Sequence, residues 1–515
     1  MSTTTTTVAL RVHHQRSVLN TLSKLWAASS QATVYALAKS HAVSSLVEGA
    51  VVKALQGIAV GKLLIVTPDA TYHFPFQPAE GREEKPVSFS RSYSDDPQPE
   101  AKIIVKNKSF FLRLAASPDI GFSEAYMFGD IDVETDRLKD IFRIFILNSR
   151  ANALNSLTSS ALTRLFSLPA RITAGRFVAS LQNAQPNISA HYDLGNDIFE
   201  AFLSRDMTYS CAIFPSLDAD LKLGMDRNDV SLNDLDDTQL HEGQQRKLRH
   251  IIAKADIRPG YRILEIGSGW GSLSFLITQT IEDTTVDTIT LSVQQETYVR
   301  QKIAEFGLED KVKVHLMDYR AMPPEWESAF DRVVSVEMIE AVGKEYIETY
   351  FAKIDWALKQ YSGVAVIQGI TIPEARFEEY AKTEDFILFP GGLLPTVTYI
   401  TSAINAASSG RLLVESISNI GPHYARTLRE WRKRFDAGFR SSPDGQCGVI
   451  VKALREEFPE VMDGPRGEEE IEVFRRKWLY YFCYCEAGFT MRMLGVHILT
   501  IIREGNVEYG CQTFA

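Results

Sequence analysis

A glycine-rich turn between a short apolar run and a helical segment constrains the fold of this chain more than any other feature. Residues 264–271 read Leu-Glu-Ile-Gly-Ser-Gly-Trp-Gly, and residues 272–281 have the length of a short helix. Glycines allow a tight turn and a close approach of the backbone to a ligand, and the first N–H groups of a helix attract an anionic group. The pattern predicts a ligand site here; the alternative is that the glycines only let the strand and helix pack closely.

Apolar runs typical of strands alternate with helix-length segments after residue 256. This alternation predicts a parallel sheet with right-handed crossovers, which is an α/β, doubly wound, Rossmann-like fold. In such a sheet the ligand binds at the carboxyl ends of the strands. The predicted strands are residues 261–266, 288–291, 312–316, 330–335 and 363–367, and the clearest helices are residues 294–306 and 344–358.

The spacing of the glycines predicts which cofactor binds. A dinucleotide fingerprint needs Gly-x-Gly-x-x-Gly, whereas this loop reads Gly-x-Gly-x-Gly, which fits S-adenosylmethionine better. The loop would hold the carboxylate of that cofactor, Glu265 would lie near its sulfonium, and polar side chains after the next strand would meet its ribose. The predicted contacts are Glu265, Gly267, Ser268, Gly269, Trp270, Gly271, Thr290, Ser292, Gln294 and Gln295.

The N-terminal part of the chain has a different pattern of apolar and polar residues. Short alternating runs predict a small α+β accessory domain over residues 46–150, with strands at residues 62–66, 88–90, 101–105 and 109–113. Residues 1–45 are interpreted as a tail. Because they are basic and contain no acidic residue, they are also compatible with a mitochondrial presequence, although a frayed tail is the preferred interpretation.

Net charge limits the partners of the chain. With 55 Lys and Arg residues against 65 Asp and Glu residues, the formal charge is −10, which argues against a nucleic-acid-binding protein. Residues 151–185 are predicted to form a basic helical linker. The linker overlaps the basic amphipathic stretch 137–176, which either lies on an anionic bilayer or packs on the core. The acidic run at residues 217–237 is interpreted as a surface loop. Five sparse cysteines and the lack of a long apolar run predict a cytoplasmic protein that touches membranes only peripherally.

Several longer motifs resemble one enzyme family. Residues 191–199 read His-Tyr-Asp-Leu-Gly-Asn-Asp-Ile-Phe, residues 335–343 read Ser-Val-Glu-Met-Ile-Glu-Ala-Val-Gly, and the tryptophan within the glycine loop is distinctive. The chain resembles the cyclopropane-fatty-acyl-phospholipid synthases and mycolic acid cyclopropane synthases from about residue 57 onward, which makes residues 186–515 the catalytic domain with substrate-covering C-terminal helices. Further matching motifs are residues 121–127, 207–211, 290–295, 318–320, 389–392, 420–428 and 478–485.

The resemblance implies a reaction and a site. In this family the double bond of a phospholipid acyl chain attacks the methyl carbon of S-adenosylmethionine, and a bound bicarbonate removes a proton. Carried over to this sequence, Glu340 and Tyr424 would hold that bicarbonate beside Cys211. The position of the family's histidine falls on Gln368, which cannot titrate. Cys485 matches a cysteine once regarded as a nucleophile, with a buried structural thiol as the alternative.

The resemblance also adds cofactor contacts and leaves other functions open. A related methyltransferase of another lipid or small molecule, giving a methyl-branched product or an N-methylated amine, is the main alternative, and a lipid-binding protein with a decayed site is a third. Neither a metal site nor a nucleic acid partner is expected, and homodimerisation is left open. The added cofactor contacts are Tyr192, Tyr209, Ser210, Tyr319 and Arg320.

Overall fold

The computed structural model describes residues 34–75, 98–116, 118–149, 194–217, 238–380, 393–441 and 445–510. The chain divides into two compact units: Met1–Ala184 with Glu472–Tyr480, and Gln185–Ile471 with Tyr481–Ala515. The domain boundaries predicted from the sequence stay predictions. No helix among the described residues is long and apolar enough to cross a membrane.

The first unit contains a four-stranded mixed sheet. The strands are β1 (Lys62–Val66), β2 (Thr71–Phe74), β3 (Glu100–Val105) and β4 (Ile131–Val133), in the order β2-β1-β3-β4. Strand β1 is parallel to β3, whereas the other two pairs are antiparallel. The accompanying helices are α1 (His41–Leu55), α2 (Ser109–Ala116), α3 (Pro118–Met127) and α4 (Leu138–Ser149).

One predicted strand is wrong. Residues 109–113 begin helix α2, and Asn107 Oδ1 accepts the N–H of Ser109 at 3.0 Å, which satisfies a free donor of the first turn. The residues from Ser109 to Leu114 are all buried, so the apolar run lacks the periodicity that separates a helix from a strand. The predicted strand at residues 88–90, most of the basic stretch 137–176 and the acidic loop at residues 218–237 lie outside the described residues.

The second unit is built on a seven-stranded sheet in the order β10-β11-β9-β8-β5-β6-β7. Strands β5 to β9 are parallel, and β11 is antiparallel to both β9 and β10. The strands are β5 (Arg262–Ile266), β6 (Thr285–Thr290), β7 (Val312–Leu316), β8 (Arg332–Val336), β9 (Val364–Thr371), β10 (Leu412–Asn419) and β11 (Gly495–Arg503).

The helices of this unit follow the predicted alternation. Helices α7 and α8 come after β5 and β6, and α9 lies between β8 and β9 along the chain, so the sequence prediction of helices there is confirmed. The helices are α5 (Asn196–Glu200), α6 (Thr238–Lys254), α7 (Ser272–Thr280), α8 (Val293–Phe306), α9 (Ile347–Ala357), α10 (Glu374–Tyr380), α11 (Val397–Ser408), α12 (Gly421–Ala437), α13 (Val449–Glu457), α14 (Pro459–Met462) and α15 (Gly467–Thr490), of which Glu472–Tyr480 belong to the first unit.

Strand order fixes where a ligand can bind. Strand β5 pairs with β6 on one side and with β8 on the other, so the chain winds outward in both directions from β5. Such a reversal leaves a crevice at the carboxyl ends of the two central strands. Strands β5, β8 and β9 are buried along nearly their whole length, as parallel strands between helices are. The predicted α/β doubly wound fold is confirmed.

Gly271 is predicted to be needed for its backbone angle and for the space above it. Its φ is +88°, and a Cβ atom would lie 2.7 Å from the ring of Phe275. Gly260 has a similar φ of +80° with nothing within 4 Å of a Cβ. Gly260→Ala should lower the free energy of unfolding by about 1–2 kcal/mol. Gly271→Ala should lower it by this amount plus about 1–3 kcal/mol, because the added methyl group overpacks the core. Urea unfolding of both variants measures these losses in the free energy of unfolding. Equal losses in the two variants would contradict the proposed overpacking at Gly271.

Candidate active site

The glycine loop forms an open cradle at the carboxyl end of β5. The N–H groups of Gly267 and Ser268 both donate to the carbonyl of Ile289 at 3.0 Å, which holds the loop against β6. Gly269 has a φ of +48°, and a Cβ atom placed on it would meet nothing within 4 Å. The loop therefore leaves free space above its backbone and leads into the N-terminus of α7, which fits the carboxylate end of S-adenosylmethionine.

Glu265 lies beneath this loop and holds the surrounding elements together. Its Oε2 accepts hydrogen bonds from Ser274 Oγ at 2.5 Å and from Thr288 Oγ1 at 2.7 Å. Burial raises the pKa of Glu265 to about 7, although both hydroxyl groups favour the charged form. The carboxyl thus joins β5 to α7 and β6, and its predicted proximity to a sulfonium stays a prediction.

The polar residues after β6 form a small hydrogen-bonded group beside the loop. Thr290 Oγ1 donates to Gln295 Oε1 at 2.8 Å, and Ser292 Oγ donates to Gln294 Oε1 at 3.2 Å. Ser292 also caps α8 by accepting the N–H of Gln295. Because β6 pairs with β5 in parallel, these predicted ribose contacts follow the neighbouring carboxyl end of the sheet.

Aromatic side chains flank the loop. Trp270 Nε1 donates to Asn196 Oδ1 at 2.9 Å, and the Trp270 ring lies 4.9 Å from that of Phe199. The Tyr209 ring lies 5.6 Å from Phe199 and 5.0 Å from Trp431. The rings of Trp270 and Tyr209 therefore both pack against the ring of Phe199. The predicted contact Tyr192 lies outside the described residues.

The two predicted contacts after β7 have partners of their own. Arg320 makes two hydrogen bonds to the carboxylate of Asp318, and its guanidinium lies 4.6 Å from the centre of the Tyr346 ring. The Tyr319 ring lies 5.5 Å from that of Tyr350, and burial raises the pKa of Tyr319 to about 12. Both residues lie beyond the carboxyl end of β7, and their role toward a cofactor stays a prediction.

Glu337, which the sequence reasoning did not single out, forms the centre of the site. Its Oε1 accepts the N–H of Cys211 at 2.9 Å and Nε2 of Gln368 at 2.8 Å, and its Oε2 accepts the hydroxyl of Tyr424 at 2.7 Å. Three of the predicted catalytic residues therefore converge on a carboxylate. Desolvation raises the pKa of Glu337, whereas the three donors favour its ionised form.

The backbone of Glu337 is held in an uncommon conformation. Its φ is +51°, in the left-handed region that a side chain with a Cβ rarely adopts, and its N–H donates to the carbonyl of Gln368 at 2.7 Å. Such positions are held only when surrounding contacts compensate, and they concentrate at functional sites. A signal for this residue is present in the sequence, because Glu337 lies two residues beyond the end of the predicted strand at residues 330–335, at the carboxyl edge of the sheet.

Glu340 lies one turn after Glu337, and its environment favours the protonated form. Its Oε1 accepts the N–H of Ile370, while its Oε2 is shielded from water and has no hydrogen-bond partner among the described residues. Desolvation, followed by the nearby charge of Glu337, raises the pKa of Glu340 to about 8. At neutral pH the two carboxyls therefore carry one negative charge, which we assign to Glu337 because it has the three donors.

The two cysteines of the prediction are both protonated. Cys211 is fully buried, and burial together with the charge of Glu337 raises the pKa of its thiol. Cys485 lies on α15, and burial raises its pKa to about 12. Cys211 contributes its backbone N–H to the site, whereas no contact described here joins the Cys485 side chain to Glu337. Neither thiol is suited to act as a nucleophile.

The protonation of Glu340 makes stability depend on pH. Between its ordinary pKa of 4.5 and about 8, the native protein keeps a proton that the unfolded chain has lost. The free energy of unfolding should therefore fall as pH rises through this window, by up to about 1.4 kcal/mol per pH unit. Glu340→Gln, a neutral replacement of similar shape, should flatten this slope, and Glu345→Gln on the exposed surface should not. Urea unfolding at several pH values checks this; equal slopes in both variants would contradict it.

Comparisons with known proteins identify the family to which the chain belongs. The family model described as mycolic acid cyclopropane synthetase matches residues 179–443, about half of the chain. The tuberculostearic acid methyltransferase of Mycobacterium tuberculosis is 33% identical over 413 residues, which are 80% of this chain and 85% of that protein. The cyclopropane-fatty-acyl-phospholipid synthase of Escherichia coli is 31% identical over 412 residues, which are 80% and 89% of the two chains.

A solved structure supports the fold. Coclaurine N-methyltransferase, bound to N-methylheliamine and S-adenosylhomocysteine, superimposes with a TM-score of 0.50 at 18% identity, and the match covers 75% of this chain and all of that one. At this identity the likeness concerns the fold alone. With the matched family model, the two relatives above 30% identity and a glycine cradle that fits the cofactor, the chain belongs to the mycolic acid cyclopropane synthetase family of S-adenosylmethionine-dependent methyltransferases.

Proposed function

We propose that this enzyme adds a one-carbon unit to the cis double bond of an unsaturated phospholipid acyl chain, with Glu337 as the base. The observation that carries the proposal is the convergence of Cys211 N–H, Gln368 Nε2 and Tyr424 Oη on the Glu337 carboxylate. A carboxylate so held is fixed in orientation and ready to accept a proton. The names of the two relatives, one a fatty acid methyltransferase and one a phospholipid synthase, support a lipid acceptor.

The chemistry requires a base and a dry site. When bound, S-adenosylmethionine would supply an electrophilic methyl carbon: its S–CH₃ bond would break, S-adenosylhomocysteine would leave, and the double bond that takes up the methyl group would become a cation on the acyl chain. Glu337 then removes a proton from the added methyl group, and the electrons of the broken C–H bond close a cyclopropane ring. Water must be excluded because it would trap the cation. The protonated Glu337 afterwards returns its proton to solvent.

Aromatic rings next to Glu337 suit the cationic intermediate. The Tyr424 ring lies 4.6 Å from Phe489 and 5.9 Å from Trp431, and Trp431 lies 5.0 Å from Tyr209. Tyr424, Trp431 and Phe489 are all at most 6% exposed. Aromatic faces attract cations most strongly where water is absent. We propose that this group of four rings lines the acyl-chain path beside the base.

Glu337 accounts for the departure at Gln368. By the family resemblance, Tyr424 would bind a bicarbonate ion and Gln368 stands at the position of the histidine that would also bind it. In this chain both residues donate hydrogen bonds to the side chain of Glu337. A neutral amide suits a permanent carboxylate because it donates a hydrogen bond without adding a charge. We therefore propose that no exchangeable anion is needed and that Glu337 removes the proton itself.

A branched acyl chain is the second candidate; this enzyme would form it as a methylene branch, and a separate reductase would be needed to convert that branch to a methyl group. This candidate is favoured by the 33% identical relative, which is named a tuberculostearic acid methyltransferase. If a hydride moves along the acyl chain to the cationic carbon before Glu337 acts, loss of a proton from the added methyl group gives a methylene branch instead of a ring. The same base serves both outcomes. The order of hydride shift and proton removal then decides the product.

The base assignment predicts a loss of turnover with retained cofactor binding. Glu337→Gln keeps the shape of the side chain but cannot accept the proton, so turnover should fall about 10²–10⁴-fold. Calorimetry should show S-adenosylmethionine binding close to that of the wild type. Removing bicarbonate from the buffer should leave the wild-type rate unchanged. Glu345→Gln serves as the matched control, and a rate that requires bicarbonate would contradict the proposal.

The acceptor is tested with vesicles of unsaturated phospholipid and S-adenosylmethionine labelled in its methyl group. Label should enter the acyl chains and be absent from saturated vesicles. Ring and methylene products have the same mass, so proton NMR of the released fatty acid separates them, because only the ring gives strongly shielded CH₂ protons. Label in the lipid headgroup, or none in lipid, would contradict the proposed acceptor.

A further inference from the structure

Lys247 is a buried cation that the proposed reaction does not yet use. It lies on α6 with 1% of its surface exposed. Its Nζ donates to Ser210 Oγ at 2.7 Å. Burial of an ammonium group is costly unless the charge is compensated, so a lysine at this depth has a specific electrostatic environment. The neighbours of Lys247 show what that environment is.

One face of α6 holds the segment of residues 208–213 in position. Gln244 Nε2 donates to the carbonyl of Ser210 at 2.7 Å, and Arg246 Nη1 donates to the carbonyl of Ile213 at 2.8 Å. The N–H of Ile213 in turn donates to the carbonyl of Gly243 at 3.0 Å. With the bond from Lys247 to Ser210, the helix contacts this segment on both sides of Cys211.

The segment held by α6 reaches both halves of the site. The N–H of Cys211, the residue after Ser210, donates to Glu337. Thr208 Oγ1 donates to Ser272 Oγ at 3.0 Å, and Ser272 is the first residue of the helix that follows the glycine loop. Movement of this short segment would therefore disturb the base and the cofactor cradle together.

Charges around Lys247 come from three separate segments. Burial lowers the pKa of Lys247, while the nearby carboxylates of Glu337, Asp206 and Glu265 each attract its ammonium. Glu337 in turn is faced by Lys247, by the carboxyl of Glu340, and by its donors on Cys211 and Tyr424. Lys247 is the cation whose charge favours ionised Glu337. Asp206 also contacts His241, whose Nδ1 lies 3.5 Å from its Oδ2.

We infer that Lys247 is a positioning residue for the transfer reaction. Its ammonium fixes Ser210 so that the N–H of Cys211, the next residue, reaches Glu337, and this donor in turn favours the ionised carboxylate that can accept a proton. This inference rests on the proposed role of Glu337 as base. It assigns to α6 a direct influence on a carboxylate that lies 90 residues further along the chain.

The test is the pH profile of kcat/KM, measured with labelled S-adenosylmethionine and unsaturated phospholipid vesicles. In the wild type the acidic limb should report protonation of Glu337. Lys247→Met removes the cation and keeps a long apolar side chain, so the limb should move to higher pH by about 1–3 units. A purely structural role would lower the rate at every pH without moving the limb.

Two further variants control for misfolding and for charge. Ser210→Ala removes the acceptor of the Lys247 ammonium, which favours the neutral amine, and should move the limb in the same direction by a smaller amount. Arg249→Met removes a cation from the exposed side of the same helix and should leave the limb in place. Circular dichroism and urea unfolding show which variants are folded; if Lys247→Met is not, the result for Ser210→Ala decides.

The outcomes separate the inference from the function on which it rests. No label in the acyl chains with wild-type enzyme, or full activity in Glu337→Gln, would overturn the proposed function. A wild type that transfers label and a Glu337→Gln variant that does not, together with unmoved limbs in folded Lys247→Met and Ser210→Ala, would overturn the role of Lys247 alone. A shift in either variant, absent from Arg249→Met, supports it.

Discussion

Keeping a carboxylate charged in a site that excludes water is the constraint on which this active site depends. In the proposed reaction, transfer of a methyl group from a sulfonium to an alkene would create positive charge on carbon, so the site would need a base and little water. A desolvated carboxylate tends to take up a proton. Three hydrogen-bond donors and a buried lysine surround Glu337 and favour its charged form. The neighbouring Glu340 has no such set of donors, and its environment favours the protonated form.

The donors come from parts of the chain that are distant in sequence. Cys211 precedes the sheet, Gln368 lies on β9 and Tyr424 on α12. Gln368 is fully buried, so its amide cannot reorient freely toward solvent. The left-handed φ of Glu337 directs the carboxylate toward these groups, and the hydrogen bond from its N–H to Gln368 holds that conformation. Folding of the whole second unit is therefore what assembles the base.

Sequence reasoning succeeded where the signal was local and repeated. The alternation of strands and helices gave the sheet, because every strand and glycine turn has its own short-range pattern. It failed at α2, where consecutive buried residues hide the periodicity, and it missed Glu337, since the role of that carboxylate comes from long-range donors. Residue type predicts which chemistry is available, whereas tertiary contacts decide which residue performs it.

The position of β11 has a consequence for biosynthesis. Strand β11 inserts between β9 and β10, and Ile498 pairs with Gln368. Until the ribosome has released residues near 500, β9 has an unpaired edge next to a buried polar side chain, and unpaired edges favour aggregation. A nascent chain can already form the parallel strands β5 to β8, and so the cofactor cradle, before β11 is available. The cofactor cradle would thus form earlier in synthesis than the proposed base, which needs β11 to pair with β9 beside Gln368.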